Sequence, residues 1–195
     1  IHLVEYRELS EKVCKWFEDR GISYPTLNDL NITEGEEYMP QTGQVENTIQ
    51  FNYVMGDELI NVKYRDGRKN FKLYKGAEKV FYNINSIVNH DTCVIVEGEI
   101  DVLSFHEAGI KNVVSVPNGA TLNHNNLDYL DNCIDYFVDK EKIILAVDQD
   151  EAGQALQQEL IRRLGAEVCY LVNFIDCKDA NEYLLKYGKE ALLKT

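Results

Sequence analysis

Hydrophobic and polar positions change texture along the chain near residue 92. From there on, short runs that are apolar throughout alternate with stretches patterned for helix: 93–96 then 102–108, 113–116 then 127–137, 143–147 then 152–164, and 168–172 then 180–187. Uniformly apolar runs separated by helices read as parallel strands covered on both faces. The series is βαβ, so it predicts a four-stranded parallel, doubly wound sheet. Such sheets bind ligands at the carboxyl ends of their strands.

Upstream the periodicity is different. Residues 9–19 are amphipathic, with Val13, Trp16 and Phe17 on one side, and the pattern stops at Arg20-Gly21. A small helical unit is expected around 25–30. Residues 48–54 then alternate, Gly56-Asp57 turns, 59–65 alternate again, Asp66-Gly67 makes a hairpin turn and 68–74 return. The expected organisation is an α+β lobe with a β-meander and a basic β-hairpin over residues 1–90, followed by an α/β domain over 91–195.

Carboxylates fall at the expected strand ends. Glu97-Gly98 closes the first parallel strand, and the glycine lets the chain turn sharply there. Asp148 and Asp150 close the third, two residues apart and so on one face. At ~6.5 Å and an effective dielectric of ~20, such a pair repels by about 2 to 3 kcal/mol. A divalent cation removes that cost, and oxygen donors without histidine or cysteine favour Mg²⁺ or Mn²⁺ over zinc. Asp179 follows the fourth strand. Taken singly, Asp150 and Asp179 also read as helix N-caps; three acidic groups at three strand ends favour a site.

Charge adds a second feature. The chain holds 33 acidic and 20 basic residues, a net −13, which argues against a surface built for generic DNA coating. Yet residues 61–80 carry seven basic side chains (Lys63, Arg65, Arg68, Lys69, Lys72, Lys75, Lys79) against Asp66 and Glu78, a local +5, with Tyr64, Phe71 and Tyr74 interleaved. That suits phosphate or nucleic-acid contact, although a solvated meander face has the same pattern.

Other signals narrow the class. The five cysteines (Cys14, Cys93, Cys133, Cys169, Cys177) form no CxxC, so they read as reduced thiols of a cytoplasmic protein, with no zinc in this chain. No apolar run approaches 18 residues, so no membrane span is expected. The chain opens at Ile1 without methionine, as an excised piece of a longer protein would. Trp16 and Phe17 read as core, His106 and His124 have no metal-spaced partner, and Asn118-Gly119-Ala120 is a loop after the second parallel strand.

Glu97-Gly98 with Asp148-Gln149-Asp150 resembles the Toprim signature, shared by bacterial primases, type IA and type II topoisomerases, RecR-type repair proteins and OLD-family nucleases. Finer motifs are 96–101, Val116-Pro117-Asn118-Gly119-Ala120, 147–153 and Lys178-Asp179-Ala180-Asn181-Glu182, with 61–65, 69–72 and 76–83 upstream. Together they resemble the primase half of phage primase-helicases and of Twinkle, over about residues 9–187. Asn181 stands where bacterial primases carry a further aspartate. No GxxxxGK[ST] helicase motif is present.

The resemblance implies a Toprim domain behind a smaller lobe, and synthesis of RNA primers on single-stranded DNA by nucleotidyl transfer from ribonucleoside triphosphates. It implies catalytic Glu97, Asp101, Asp148, Asp150 and Asp179, with Glu97, Asp148 and Asp150 holding Mg²⁺. Glu97 is either a cation carboxylate or a general base. Lys63, Arg65, Lys69, Lys72 and Lys178 would contact nucleotide or nucleic acid. A replicative helicase domain or subunit would be the partner, and this piece a monomer in a bacterial or phage-infected cytoplasm. The acids also suit a Toprim nuclease or topoisomerase fragment, and the fold suits a non-catalytic single-strand-binding module.

Overall fold

The structure, a computed structural model, describes residues 9–119 and 127–195. His124 and Ala120 lie outside the described residues. Two four-stranded sheets organise the chain. The first is antiparallel, with β1 (Ile32–Met39), β2 (Gln44–Met55), β3 (Glu58–Arg65) and β4 (Phe71–Leu73) in sequential order. Two helices precede it, α1 (Glu11–Glu18) and α2 (Tyr24–Asp29).

The sequence explains these elements in part. Ser10 caps α1 by accepting the Val13 N–H at 3.2 Å, Val13 and Phe17 turn inward, and Gly21 ends the turn at φ 75°. Two details depart from the sequence reading. β1 was not expected: Glu34, Glu36 and Glu37 mask its alternation, and as an edge strand paired only to β2 it tolerates that charge. The β3–β4 turn does not use Gly67 for positive φ; Lys69 adopts it, at 64°. Asp66 closes that turn by accepting the N–H groups of Arg68 and Asn70, both at 2.9 Å.

The second sheet is parallel, in the order β6-β5-β7-β8, from β5 (Thr92–Val96), β6 (Val113–Ser115), β7 (Lys142–Ala146) and β8 (Cys169–Leu171). Its helices are α3 (Glu99–Glu107), α4 (Asp128–Cys133), α5 (Glu151–Leu164), α6 (Ala180–Tyr187) and α7 (Lys189–Leu193). The central strands β5 and β7 are apolar because neighbours cover them. The fourth strand departs from expectation: at the sheet edge, Tyr170 and Leu171 remain 49% and 58% exposed.

The chain leaves β5 toward β6 on one side and returns to β7 on the other. That reversal opens a crevice at the carboxyl ends of β5 and β7, where α/β sheets bind ligands. One hydrophobic cluster runs through both sheets. Tyr82 is the joint: its backbone bridges Ser115 in β6 at 2.9 and 3.2 Å, and its hydroxyl donates to the Leu30 carbonyl at 2.6 Å.

Candidate active site

The crevice gathers the acids. Glu97 leaves β5, Asp148 leaves β7, and Glu97 Oε1 accepts the Asp148 backbone N–H at 3.2 Å. Close approach there requires Gly153 in the first turn of α5, since a Cβ at that position would lie 2.0 Å from the Asp148 carbonyl oxygen and 2.8 Å from Glu97 Oε1. Asp150 is the N-cap of α5 and accepts the Gly153 N–H at 2.8 Å. Asp179 is the N-cap of α6 and accepts the Glu182 N–H at 2.9 Å, while Glu182 reaches back to the Lys178 N–H at 2.7 Å. Both capping readings therefore hold, and of the two Asp179 also belongs to the acidic group.

Asp101, Asp148 and Asp179 each offer an oxygen within 4.8 Å of the others. Of these, the sequence reading assigned only Asp148 to the cation, with Glu97 and Asp150; the structure places Glu97 beside Asp148 and Asp150 at the rim. Asp101 joins because it lies one helical turn beyond Glu97, in the first turn of α3, a position that strand periodicity does not reach. It is buried, and burial followed by Asp179, Asp148 and Glu97 pushes its carboxyl well above the usual range. Asp148 is pushed up to about 7 by burial, Glu97 and Asp179, against the opposing charge of Lys178. Lys178 Nζ stands 3.9 Å from Asp148 Oδ2 and 3.8 Å from Asp150 Oδ2. The group is short of positive charge, and its all-oxygen donor set is one that a hard divalent cation fits.

Asn181 supports this corner. Its N–H donates to Asp101 Oδ1 at 3.1 Å, and its side-chain amide donates to the Arg20 carbonyl and to Ser104 Oγ, each at 3.0 Å. The residue expected to differ from bacterial primases thus ties α6 to α3 and to the end of α1.

The basic side chains are less uniform than their sequence spacing suggests. Lys63 is nearly buried and pairs with Glu99 in α3, 2.9 Å from Oε1, while donating to the Pro117 carbonyl at 2.9 Å. Lys72 pairs with Glu37 at 2.6 Å. Arg65 lies over the rings of Trp16 and Phe71, 4.7 and 5.2 Å from their centroids. Arg20 lies over Trp16 at 3.4 Å, so this ring is a cation platform at the margin of the core. Lys69 is exposed on its turn. A cleft of about 460 Å³ opens between β4 and the turn after β6, lined by Lys63, Phe71, Lys72, Leu73, Pro117, Asn118 and Gly119.

Sequence reasoning took in Glu99 only as part of the 96–101 motif and gave it no role. Its signal was a third carboxylate in Glu97-Gly98-Glu99-Ile100-Asp101; its partners, Lys63 and the Tyr53 hydroxyl, come from distant strands. His106 lies beside Thr26 and Asp29, in keeping with a structural histidine.

Comparison with known proteins gives a consistent result. A family profile described as Toprim-like matches residues 94–184. The primase homolog protein of Arabidopsis thaliana is 35% identical over 214 residues, covering 99% of this chain and 62% of that protein. The Arabidopsis thaliana Twinkle homolog protein, chloroplastic/mitochondrial, is 34% identical over 211 residues, covering 97% of this chain and 29% of that protein. The chain therefore spans less than two thirds of either relative. Among solved structures, the primase fragment of the bacteriophage T7 primase-helicase superposes with a TM-score of 0.76 at 26% identity, over 91% of this chain and 71% of the fragment.

Proposed function

This chain belongs to the Toprim superfamily, with the primase core of the phage primase-helicase and Twinkle type, and from that premise we propose that it makes RNA primers. The observation that carries this reading is the carboxylate trio at the crevice of the parallel sheet, next to a lysine-lined cleft. The reaction is nucleotidyl transfer from ribonucleoside triphosphates on a single-stranded DNA template. The 3′ hydroxyl oxygen attacks the α-phosphorus, and pyrophosphate leaves.

Asp148 belongs both to the set expected from sequence and to the trio, so it is the central cation carboxylate, with Asp101 and Asp179 beside it and Glu97 and Asp150 adjoining. Mg²⁺ is the natural ion for oxygen donors, with Mn²⁺ a substitute. When bound, it would offset triphosphate charge and ease deprotonation of the hydroxyl. Glu97 orients Asp148 through its backbone N–H, and Lys178 supplies fixed positive charge between Asp148 and Asp150. Arg65 and Lys69 face nucleic-acid phosphates from the hairpin.

The phage primase-helicase whose primase fragment matches supports a helicase domain or subunit as partner, and this piece itself is proposed to be a monomer. Among the described residues, no helix is long and apolar enough to cross a membrane.

The test is incorporation of labelled ribonucleotides on single-stranded DNA with Mg²⁺ or Mn²⁺. Wild type should yield primers, and Asp148→Ala should lose activity by about 100-fold or more. Cleavage of the DNA without incorporation would make the protein a nuclease. Binding of DNA with neither reaction would make it a non-catalytic homologue.

A further inference from the structure

A separate cavity of about 300 Å³ opens at the other end of α3 from the acids. Its lining includes Asp29 at the end of α2, Asn52 in β2, and Tyr82, Asn83 and Ser86 around the 3₁₀ turn Ile84–Ile87. Asp29 Oδ2 stands 3.6 Å from His106 Nε2, in the last turn of α3, whereas Asp101 is in the first. The cavity shares no lining residue with the carboxylate trio or with the lysine-lined cleft.

Several of its polar atoms are acceptors with capacity to spare. Asn52 is only 8% exposed, and its amide orientation is fixed: Nδ2 donates to the Asn31 carbonyl at 2.8 Å and to Thr33 Oγ1 at 2.9 Å, whose own proton goes to Gln50 Oε1 at 2.8 Å. Among the described residues no donor reaches Asn52 Oδ1, and no side-chain oxygen without a partner is sealed off, so this oxygen opens on the cavity and is satisfied from it. Asn83 Nδ2 donates to the Val113 carbonyl at 3.0 Å and Ser86 Oγ to the same oxygen at 3.2 Å, which leaves Asn83 Oδ1 and the Ser86 lone pairs as further acceptors. Asp29 adds a carboxylate. Burial holds the His106 imidazole beside it below its usual range, so near neutral pH that charge has no cation paired with it among the described residues.

We infer that this cavity binds a guanidinium group. A guanidinium is planar, always charged, and carries five N–H donors and no acceptor, the complement of oxygens and a carboxylate gathered from three elements. A nucleobase sets acceptors of its own against those oxygens, and an ammonium concentrates its donors at one point. At about 300 Å³ the space suits a group the size of a side chain and not a nucleotide. The net charge of −13 favours a cation at long range. The guanidinium belongs either to a small free molecule or to an arginine side chain of a partner protein. Its binding joins α2 to the 3₁₀ turn beside Tyr82, where the two sheets meet, so the occupied protein melts higher. None of this depends on the primer-synthesis reading.

Butylguanidine, butylamine and the capped peptides Gly-Arg-Gly and Gly-Lys-Gly would be titrated into the protein at up to about 10 mM. The side-chain amide signals of Asn52 and Asn83 would be followed by NMR and the melting temperature by calorimetry. Butylguanidine should shift both amides and raise the melting temperature, and butylamine should do neither. Asp29→Asn changes an exposed residue and Asn83→Gly suits the positive φ of 63°, so both should fold. Each should weaken butylguanidine binding about threefold or more, read at the Asn52 amide. Tighter binding of the arginine peptide than of butylguanidine assigns a partner's side chain; the reverse assigns a free small molecule. The inference fails if no guanidinium probe shifts the Asn52 amide, if butylamine binds as well as butylguanidine, or if both variants bind as wild type does. Primer synthesis, present or absent, changes none of these outcomes.

Discussion

Asp148 and Asp101 both carry raised carboxyls, and Asp148 is the one that titrates closest to neutrality. Its carboxyl is raised to about 7 by burial, Glu97 and Asp179, so between the ordinary carboxylate range and neutrality the native protein holds a proton that the unfolded chain has lost. Cation-free protein is therefore expected to lose stability as pH rises through that window. Mg²⁺ needs the ionised carboxylate, so its affinity should rise over the same range. Thermal melts and calorimetric Mg²⁺ titrations between pH 5 and 8 check both slopes. Asp148→Asn should flatten them, and an unaltered pair of slopes in that variant would remove Asp148 from the site. The position of this acid after a strand was readable from apolar runs and a period of two. Its charge state was not, because Glu97 and Asp179 approach it from other strand ends.

The start of α5 tests how local rules yield to packing. Alanine for glycine inside a helix ordinarily stabilises, by up to about 1 kcal/mol. At Gly153 the sign should reverse, because the new Cβ would lie 2.0 Å from the Asp148 carbonyl. Gly153→Ala is expected to cost about 1 to 3 kcal/mol in urea unfolding and to weaken Mg²⁺ binding. A variant as stable as wild type, with the same cation isotherm, would show that the helix start does not constrain the acids. Elements built from strong local patterns, such as β5, β7 and α5, were legible in sequence. β1 was not, since an edge strand with three glutamates loses the alternation that marks a half-buried strand. The hairpin at Asp66-Gly67 was legible as a turn, but its geometry follows the Asp66 carboxylate and places positive φ at Lys69.

Across the whole molecule, the antiparallel lobe is tied to the parallel sheet by polar links as well as by the shared core. Lys63 joins Glu99, and Asn181 joins Asp101 and the Arg20 carbonyl. Lys63→Met leaves Glu99 as a buried charge without its cation and should cost about 3 to 5 kcal/mol. Adding Glu99→Gln should recover part of that loss, measured as coupling in a double-mutant cycle by urea unfolding. Additive losses would show the pair to be energetically independent. Loss of activity in a Lys63 variant therefore has to be separated from loss of fold before it counts as a lost phosphate contact.

By itself the sequence determined the parallel strand series, the meander, the carboxylates at strand ends and the concentration of basic residues over 61–80, because each follows from periodicity or spacing within a few residues. Tertiary structure decided which acids meet and which cations are already neutralised. Asp101 meets Asn181 across 80 positions and Lys63 meets Glu99 across 36, so their partners depend on how distant elements pack and not on any local pattern.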